Sequence, residues 1–120
     1  MKVIVITFLL LVCIVHTRKY YGSYSRSYNK INKPAYTYIL NLEGGKKYVG
    51  YTQSPKKRIC DHFNGKGAKW TQKHRPVSIN SIIKYNSVSA AKRGETKEYY
   101  KAKAKYGKKN VRGAGYTRSF

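Results

Sequence analysis

A glycine-containing turn between two tyrosine-bearing segments places the strongest constraint on the fold of this sequence. In residues 36–40, two tyrosines and a leucine alternate with Thr37 and Ile39, and residues 47–51 are also typical of a strand. Gly44 and Gly45, which lie between these segments, supply the positive φ angles that a tight hairpin requires. The sequence therefore predicts two antiparallel strands joined by a short turn.

The length of the turn decides which side chains share a face of the hairpin. With a three-residue loop at 43–45, Leu40 lies opposite Tyr48, and Tyr38 shares a face with Tyr48. A two-residue loop would place the two tyrosines on opposite faces, because a slip of one residue inverts every side chain. Only the three-residue loop brings the two phenols together.

An apolar segment lies at the N-terminus, well before the hairpin. Residues 3–15 are apolar except for Thr7, and basic residues flank them on both sides. A helix needs about 20 apolar residues to span a bilayer, so this segment has the length of a signal-peptide core. Residues 15–17 form a poor cleavage site, so a short membrane anchor with its C-terminal side in the cytosol or nucleoplasm is the second interpretation. We expect residues 1–17 to form a hydrophobic helix that directs the chain to the secretory pathway or to a membrane, with the nuclear membrane as one destination.

The composition then changes twice along the chain. Residues 18–33 are rich in Tyr, Ser, Asn, Gly, Arg and Lys and have few aliphatic side chains, a composition that cannot bury a core, so we predict a flexible basic tether. Residues 34–120 are long enough for one domain with a modest core. Cys60 is the one cysteine in this domain, which excludes an intradomain disulfide and a cysteine-rich zinc site.

The charge of the chain indicates a polyanionic partner. The sequence has 26 Lys and Arg against 4 Asp and Glu, a formal net charge of +22. Solubility alone does not account for such an excess, because self-repulsion destabilises a compact state. Nucleic acid is the first candidate partner, and an anionic membrane or polysaccharide is the second.

The hairpin is followed by a predicted helix over residues 55–63. Serine is a favoured N-cap and proline a favoured first helical residue, so Ser54 and Pro55 mark its start. Arg58 and His62 are four residues apart, which places their side chains one above the other on one face. The helix therefore carries a cation and an imidazole side by side.

A basic loop over residues 65–76 and a third strand over residues 77–85 come next. The loop carries the residues that we predict to contact nucleic acid: Lys66, Lys69, Trp70, Lys73 and Arg75. The cations would bind backbone phosphates, and the indole would stack on a base. The alternatives are a solvated loop for the cations and a core-covering role for Trp70.

A second helix, capped by Ser87 or Ser89, is predicted to end at Tyr106. Its inward stripe has helical spacing: Val88, Ala91, Tyr99, Ala102 and Tyr106. Glu95 falls on this apolar stripe, and a buried carboxylate must be paired or coordinate a metal. It is therefore a candidate metal ligand, with a salt bridge to Lys92 or Arg58 as the alternative.

Taken together, these motifs resemble the GIY-YIG nuclease domain. That family has a Gly-Ile-Tyr-like strand, a Tyr-Ile-Gly-like strand, an arginine on the next helix and a glutamate on a later helix. The matching residues are Tyr36-Thr37-Tyr38, Tyr48-Val49-Gly50, Arg58, His62 and Glu95. Tyr36 and Thr37 depart from the family's first two residues but leave the tyrosine that is catalytic in the family, Tyr38, in place.

Two further segments resemble small single-domain members of this family. Gly67-Ala68-Lys69-Trp70-Thr71 and His74-Arg75-Pro76 resemble the segment that follows the first helix in many of them. Residues 106–113 resemble the ending of members found in large DNA viruses of eukaryotes. The resemblance covers residues 35–116, nearly the whole predicted domain.

The resemblance implies an α+β fold, with a small three-stranded antiparallel sheet flanked by helices, and a phosphodiesterase that depends on Mg²⁺ or Mn²⁺ and acts on DNA or RNA. It also implies a role for each site residue. Glu95 holds the metal, Arg58 clamps a non-bridging oxygen, and Tyr48 contacts the phosphate or the attacking water. Tyr38 is the general base or positions the attacking water, His62 assists proton transfer or orients Tyr38, and Asn110 contacts a phosphate or a metal-bound water. A metal-dependent DNA endonuclease is thus the leading hypothesis. The alternatives are a catalytically inactive basic DNA-binding module and a secreted, tyrosine-rich basic protein that binds membranes or matrix.

Overall fold

The computed structural model describes residues 33–115, which form an α+β fold around one sheet. The strands are β1 (Ala35–Leu42), β2 (Lys47–Thr52), β3 (Pro76–Tyr85) and β4 (Val111–Gly113), and the helices are α1 (Pro55–Phe63), α2 (Lys69–Lys73) and α3 (Val88–Tyr106). The predicted N-terminal helix and all but the last residue of the predicted tether lie outside the described residues. Within residues 33–115, no helix has both the length and the hydropathy that crossing a bilayer requires.

The sheet confirms the predicted class but has one more strand than predicted. Its order is β3-β1-β2-β4, with β1 antiparallel to both of its neighbours. β4 lies parallel to β2, with Val111 opposite Lys47, so the sheet is mixed and four-stranded rather than antiparallel and three-stranded. A strand of three residues is too short to show a periodic pattern, which is why the sequence did not reveal it.

The hairpin has the register that the three-residue loop predicts. Leu40 pairs with Tyr48 and Tyr38 with Gly50, and residues 43–45 form a short 3₁₀ turn. Gly44 and Gly45 both have a φ of 71°, which a side chain would strain. Tyr38 and Tyr48 consequently share a face of the sheet, and their ring centroids lie 6.2 Å apart.

The two faces of the sheet bury separate clusters. One cluster, covered by α1 and α2, consists of Tyr38, Leu40, Leu42, Tyr48, Ile59 and Ile79. The other, covered by α3, consists of Ile39, Val49, Tyr99, Ala102 and Val111. Successive residues of β1 and β2 point to opposite faces, so the same short hairpin supplies both cores.

Of two local predictions, one is confirmed and one is wrong. Helix α1 has the predicted bounds, with Ser54 at the N-cap position and Pro55 as the first helical residue. The Ser54 side chain makes no capping hydrogen bond, and its own N–H donates to Thr52 Oγ1 at 3.0 Å. The segment predicted as a loop over residues 65–76 contains α2, a helix of five residues. A single helical turn presents too few residues to show a 3.6-residue period.

The long helix α3 begins and ends as predicted. The side chain of Ser87 accepts a hydrogen bond from the Ala90 N–H at 3.1 Å, and Gly107 ends the helix with a φ of 96°. Gly94, in the middle of the helix, lies against the phenol of Tyr85, and a Cβ at position 94 would overlap that oxygen. This close approach of Tyr85 gives the glycine a packing role despite its low helix propensity.

Candidate active site

Four side chains that are distant in sequence converge beside the β1–β2 hairpin, and the charge of a fifth, Glu95, acts on two of them. Tyr38 comes from β1, Tyr48 from β2, Arg58 and His62 from α1, and Glu95 from α3. The imidazole of His62 lies 5.6 Å from the Tyr38 ring and 4.8 Å from the Tyr48 ring, measured between centroids. We refer to these five residues as the central cluster.

The hairpin and α1 are placed for this convergence by small residues. The Tyr38 ring lies across Gly50, where a Cβ would overlap the phenol. The His62 ring lies against Gly67, where a Cβ would overlap Nδ1. Glycine at these two positions leaves the space that the aromatic rings occupy, so both are part of the site although neither can take part in chemistry.

A buried hydrogen-bond chain runs inward from Tyr38. The Tyr38 hydroxyl lies 2.8 Å from His62 Nε2, and His62 Nδ1 lies 2.9 Å from Thr71 Oγ1. The Thr71 hydroxyl donates to the carbonyl oxygen of Ala68 at 2.8 Å. His62 is completely buried and Thr71 is 1 % exposed, so the chain is shielded from water.

Arg58 is the cation of the central cluster. Its half-buried guanidinium is within hydrogen-bonding reach of both the Tyr38 and the Tyr48 phenol oxygens. Burial raises the pKa of both phenols, and Arg58 opposes that rise. Both tyrosines are therefore protonated at neutral pH, and the guanidinium presents its remaining donors to an anion at the same place.

His62 is neutral in this environment. Burial lowers its pKa from 6.5 to about 4, and the charge of Arg58 contributes to the decrease. A neutral imidazole has one N–H and one lone pair, so it can accept a proton from a neighbouring hydroxyl.

Glu95 lies on the buried stripe of α3, as predicted, and is 8 % exposed. Burial raises the pKa of its carboxyl group, while the Ala114 N–H, which donates a hydrogen bond to it, and the charge of Lys92 oppose the rise. Within the described part of the chain, no cation lies within salt-bridge distance of Glu95. The neighbouring acid on the same helix, Glu98, does form an ion pair, with Lys101 at 3.9 Å. A buried carboxylate without such a partner fits a site that receives a cation.

Glu95 is better suited to a hard cation that has few protein ligands than to a metal ion enclosed by several protein side chains. Residues 33–115 contain no group of three or more His, Cys, Asp or Glu side chains that could hold a metal. Mg²⁺ takes one or two carboxylates and completes its shell with waters and substrate phosphates. Glu95 could therefore be the protein ligand in a site completed by a bound phosphate.

The residues predicted to contact nucleic acid lie on and around α2. Lys66, Lys69, Lys73 and Arg75 are exposed. Trp70 is half-buried: its Nε1–H donates to the Lys47 carbonyl at 3.1 Å, and the guanidinium carbon of Arg112 lies 4.9 Å from the centre of its ring. One face of the indole is thus occupied by Arg112, and the ring fastens α2 to β2.

The side-chain hydrogen bonds of Asn110 connect it to residues outside the central cluster. Its Oδ1 accepts from Lys46 Nζ at 2.7 Å, and its Nδ2 donates to the Tyr106 carbonyl at 2.6 Å. The side chain therefore links the start of β2 to the end of α3.

Sequence reasoning gave no role to three residues that shape the site: Gly50, Gly67 and Thr71. All three lie inside segments that resemble the family, but a segment match does not say which atom touches which. Hydrophobic periodicity does not identify them, because glycine and threonine do not contribute to an apolar stripe. Arg112 was missed for a related reason, since its position over Trp70 depends on the short strand β4.

Comparison with known proteins decides the family. Residues 34–112 match the family model described as the GIY-YIG catalytic domain. The chain belongs to the GIY-YIG family. Membership implies nuclease-type activity on a nucleic-acid substrate, and GIY-YIG nucleases typically use divalent metals.

Curated proteins similar to this chain include UPF0213 proteins of several bacteria. A UPF0213 protein of Streptococcus agalactiae serotype V is 42% identical over 65 residues, which is 54% of this chain and 74% of the relative. UPF0213 proteins of Bacillus pumilus and Enterococcus faecalis are each 38% identical, over 57% and 52% of this chain and 65% and 74% of their own lengths. These names state no activity or substrate. No solved structure gives a significant match.

Proposed function

We propose that this protein is a metal-dependent endonuclease that hydrolyses phosphodiester bonds in DNA. The observation that carries the proposal is the central cluster, in which two phenols, a guanidinium and a neutral imidazole meet, and the charge of a buried carboxylate acts on both phenols. Phosphodiester hydrolysis needs an activated water, stabilisation of the charge on the phosphorus oxygens and neutralisation of the leaving oxygen. The cluster offers a group for each of these needs.

Arg58 and Tyr48 are suited to holding the phosphate. The planar donor fork of arginine matches two phosphate oxygens, and Arg58 is partly exposed, so a phosphate can reach it. Tyr48 has its hydroxyl within reach of the same guanidinium and is protonated, so it can donate to a phosphate oxygen or to the attacking water. Together they would fix the phosphorus relative to Tyr38.

Tyr38 and His62 are suited to moving a proton. The resting phenol is neutral because burial raises its pKa, so Tyr38 acts as a base only if another group takes its proton. His62 Nε2 lies 2.8 Å from the phenol oxygen and belongs to a neutral ring. We assign the attacking water to Tyr38 and the Tyr38 proton to His62. Because the pKa of His62 is lowered to about 4, the imidazole would hold this proton only transiently, while Tyr38 takes a proton from the water.

Glu95 would hold the metal ion. Mg²⁺ or Mn²⁺ at this carboxylate would supply positive charge to the phosphate oxygens and lower the pKa of a bound water. The positive charge would also favour ionisation of Glu95 and of Tyr38, both of which burial disfavours in the resting protein. The four basic residues around α2, which are Lys66, Lys69, Lys73 and Arg75, would bind the flanking backbone phosphates.

The test is cleavage of supercoiled plasmid DNA by the full chain, with Mg²⁺ and with EDTA. The variant Glu95→Gln keeps the size of the side chain and removes its charge, so cleavage should fall by at least about 10²-fold while DNA affinity is unchanged. Glu98→Gln is the matched control, since Glu98 lies one turn along the same helix, is paired with Lys101, and should leave cleavage intact.

Two results would contradict the proposal. Cleavage by Glu95→Gln at the wild-type rate would remove Glu95 from the site. Salt-sensitive DNA binding by the wild type with no metal-dependent product would favour an inactive DNA-binding module instead.

A further inference from the structure

The segment formed by residues 67–71 holds His62 from the side opposite Tyr38. Gly67 approaches so closely that a Cβ there would lie 2.9 Å from the Cα of His62 as well as overlapping the ring. Trp70 fastens the segment to β2 through its hydrogen bond to the Lys47 carbonyl. Residues 67–71 thus pack against the imidazole and are themselves held in place by Trp70.

The hydrogen bonds of Thr71 determine which nitrogen of His62 carries a proton. Thr71 Oγ1 lies 2.8 Å from the Ala68 carbonyl oxygen and 2.9 Å from His62 Nδ1. A carbonyl has no hydrogen to give, so the single hydroxyl hydrogen of Thr71 must point to Ala68. The Thr71 oxygen can then only accept from His62, which places the ring hydrogen on Nδ1.

The other nitrogen is left as an acceptor. The pKa of His62 is lowered to about 4, so at neutral pH the ring has one hydrogen, and Nε2 has a lone pair. The hydroxyl of Tyr38, 2.8 Å away, is therefore the donor in that contact. The three hydrogen bonds that start at Tyr38 therefore all run in one direction, from Tyr38 through His62 and Thr71 to Ala68.

We propose that Thr71 is a positioning residue that fixes His62 in the Nδ1-protonated tautomer and so keeps Nε2 available for the proton of Tyr38. Its consequence for cleavage rests on the proposed function, whereas the tautomer itself does not. In the opposite tautomer, Nε2–H would donate to the Tyr38 oxygen, which would remove the proton acceptor and occupy an oxygen lone pair that the attacking water needs. Water cannot replace Thr71 easily, because His62 and Thr71 are almost completely buried.

The direct test is ¹⁵N NMR of the histidine rings in the metal-free full-length protein near neutral pH. The resonances of His62 are assigned as those missing from the spectrum of His62→Gln. We expect a protonated-type shift for Nδ1 and an unprotonated-type shift for Nε2 in the wild type and in Thr71→Ser. Thr71→Val has nearly the same shape but no acceptor, so a substantial population should change to Nε2–H. A wild-type ring protonated on Nε2 would overturn the proposal, whether or not Thr71→Val folds.

Single-turnover cleavage then measures the consequence. Thr71→Val should lower the rate by about 10²-fold, which is typical of losing general-base assistance, without changing DNA affinity, and Thr71→Ser should restore it. In a His62→Gln background, Thr71→Val should have no further effect on the rate. A Thr71→Val protein with the wild-type rate would contradict the proposal, whereas a wild type that never cleaves DNA would contradict only the proposed function and leave the tautomer to NMR.

Discussion

The phenol ring of Tyr38 fills the space above Gly50, its partner in the β1–β2 register. Gly50 lies two residues after Tyr48 on the same face of β2, so the missing side chain at position 50 lets the Tyr38 ring lie beside Tyr48. The glycine of the second tyrosine motif is thus explained by the space that the tyrosine of the first motif requires.

Gly50→Ala should therefore displace Tyr38. The added methyl group overlaps the phenol, and overpacking of this kind typically costs about 1–3 kcal/mol. We expect the free energy of unfolding, measured by urea denaturation, to fall by this amount, and cleavage to be lost. In a Tyr38→Ala background the same substitution should cost much less, and an equal cost in the two backgrounds would contradict the steric explanation.

Gly94→Ala should destabilise the protein, although alanine is the better helix former. Propensity alone predicts a gain of about 1 kcal/mol, but the methyl group would overlap the phenol of Tyr85, at a cost of about 1–3 kcal/mol. In a Tyr85→Ala background the space is open, and Gly94→Ala should become stabilising. Thermal or urea unfolding of the four proteins tests this change of sign; a gain in both backgrounds would show that Tyr85 does not constrain position 94.

Acid should destabilise the fold through His62. Its pKa is 6.5 ordinarily and about 4 in the folded protein, so between these values the unfolded chain binds a proton that the folded chain excludes. Stability from this group is present above pH 6.5 and falls as the pH falls, by about 3 kcal/mol at pH 4.

The comparison that isolates this effect is urea unfolding of the wild type and His62→Gln at neutral pH and near pH 4. Glu95 acts in the opposite direction, because burial raises its pKa, but it is present in both proteins and cancels. The wild type should lose about 3 kcal/mol more than the variant over this range. Equal losses would mean that His62 is protonated as readily in the folded state as in the unfolded state.

Removing a phosphate contact should change the salt dependence of DNA binding. Lys69 is exposed at the start of α2, and Lys69→Gln should reduce the slope of log affinity against log salt by about 1. Lys101→Gln is the control, because Lys101 lies on the exposed side of α3 and is paired with Glu98. Fluorescence anisotropy over a range of salt concentrations measures both slopes, and an unchanged slope for Lys69→Gln would place the DNA elsewhere.

The hairpin and the helical placement of the site residues could be predicted because each follows from local geometry. The three-residue turn fixes the register that puts Tyr38 and Tyr48 on one face. A spacing of four residues stacks Arg58 and His62, and helical spacing puts Glu95 on the buried stripe of α3.

What the sequence did not reveal depends on contacts between distant segments. β4 has three residues and is recognisable as a strand only through its pairing with β2. Thr71 bonds to Ala68, three residues before it, and to His62, nine residues before it, and neither spacing produces a periodic signal. A side chain whose role is to select the tautomer of another can be found only when the atoms are placed.

The inner end of the Tyr38 hydrogen-bond chain has a consequence for the reaction cycle. The Ala68 carbonyl accepts from Thr71 Oγ1 and from the Gln72 N–H, and it has no hydrogen to pass on. Among the described residues, the hydrogen bonds beyond His62 thus end at a group that cannot pass a proton on, and a proton that moves from Tyr38 to His62 would return through the same two atoms. In the proposed reaction, the pair would serve as a reversible store for one proton, filled and emptied through Tyr38 in every turnover, rather than as a channel that drains protons from the site.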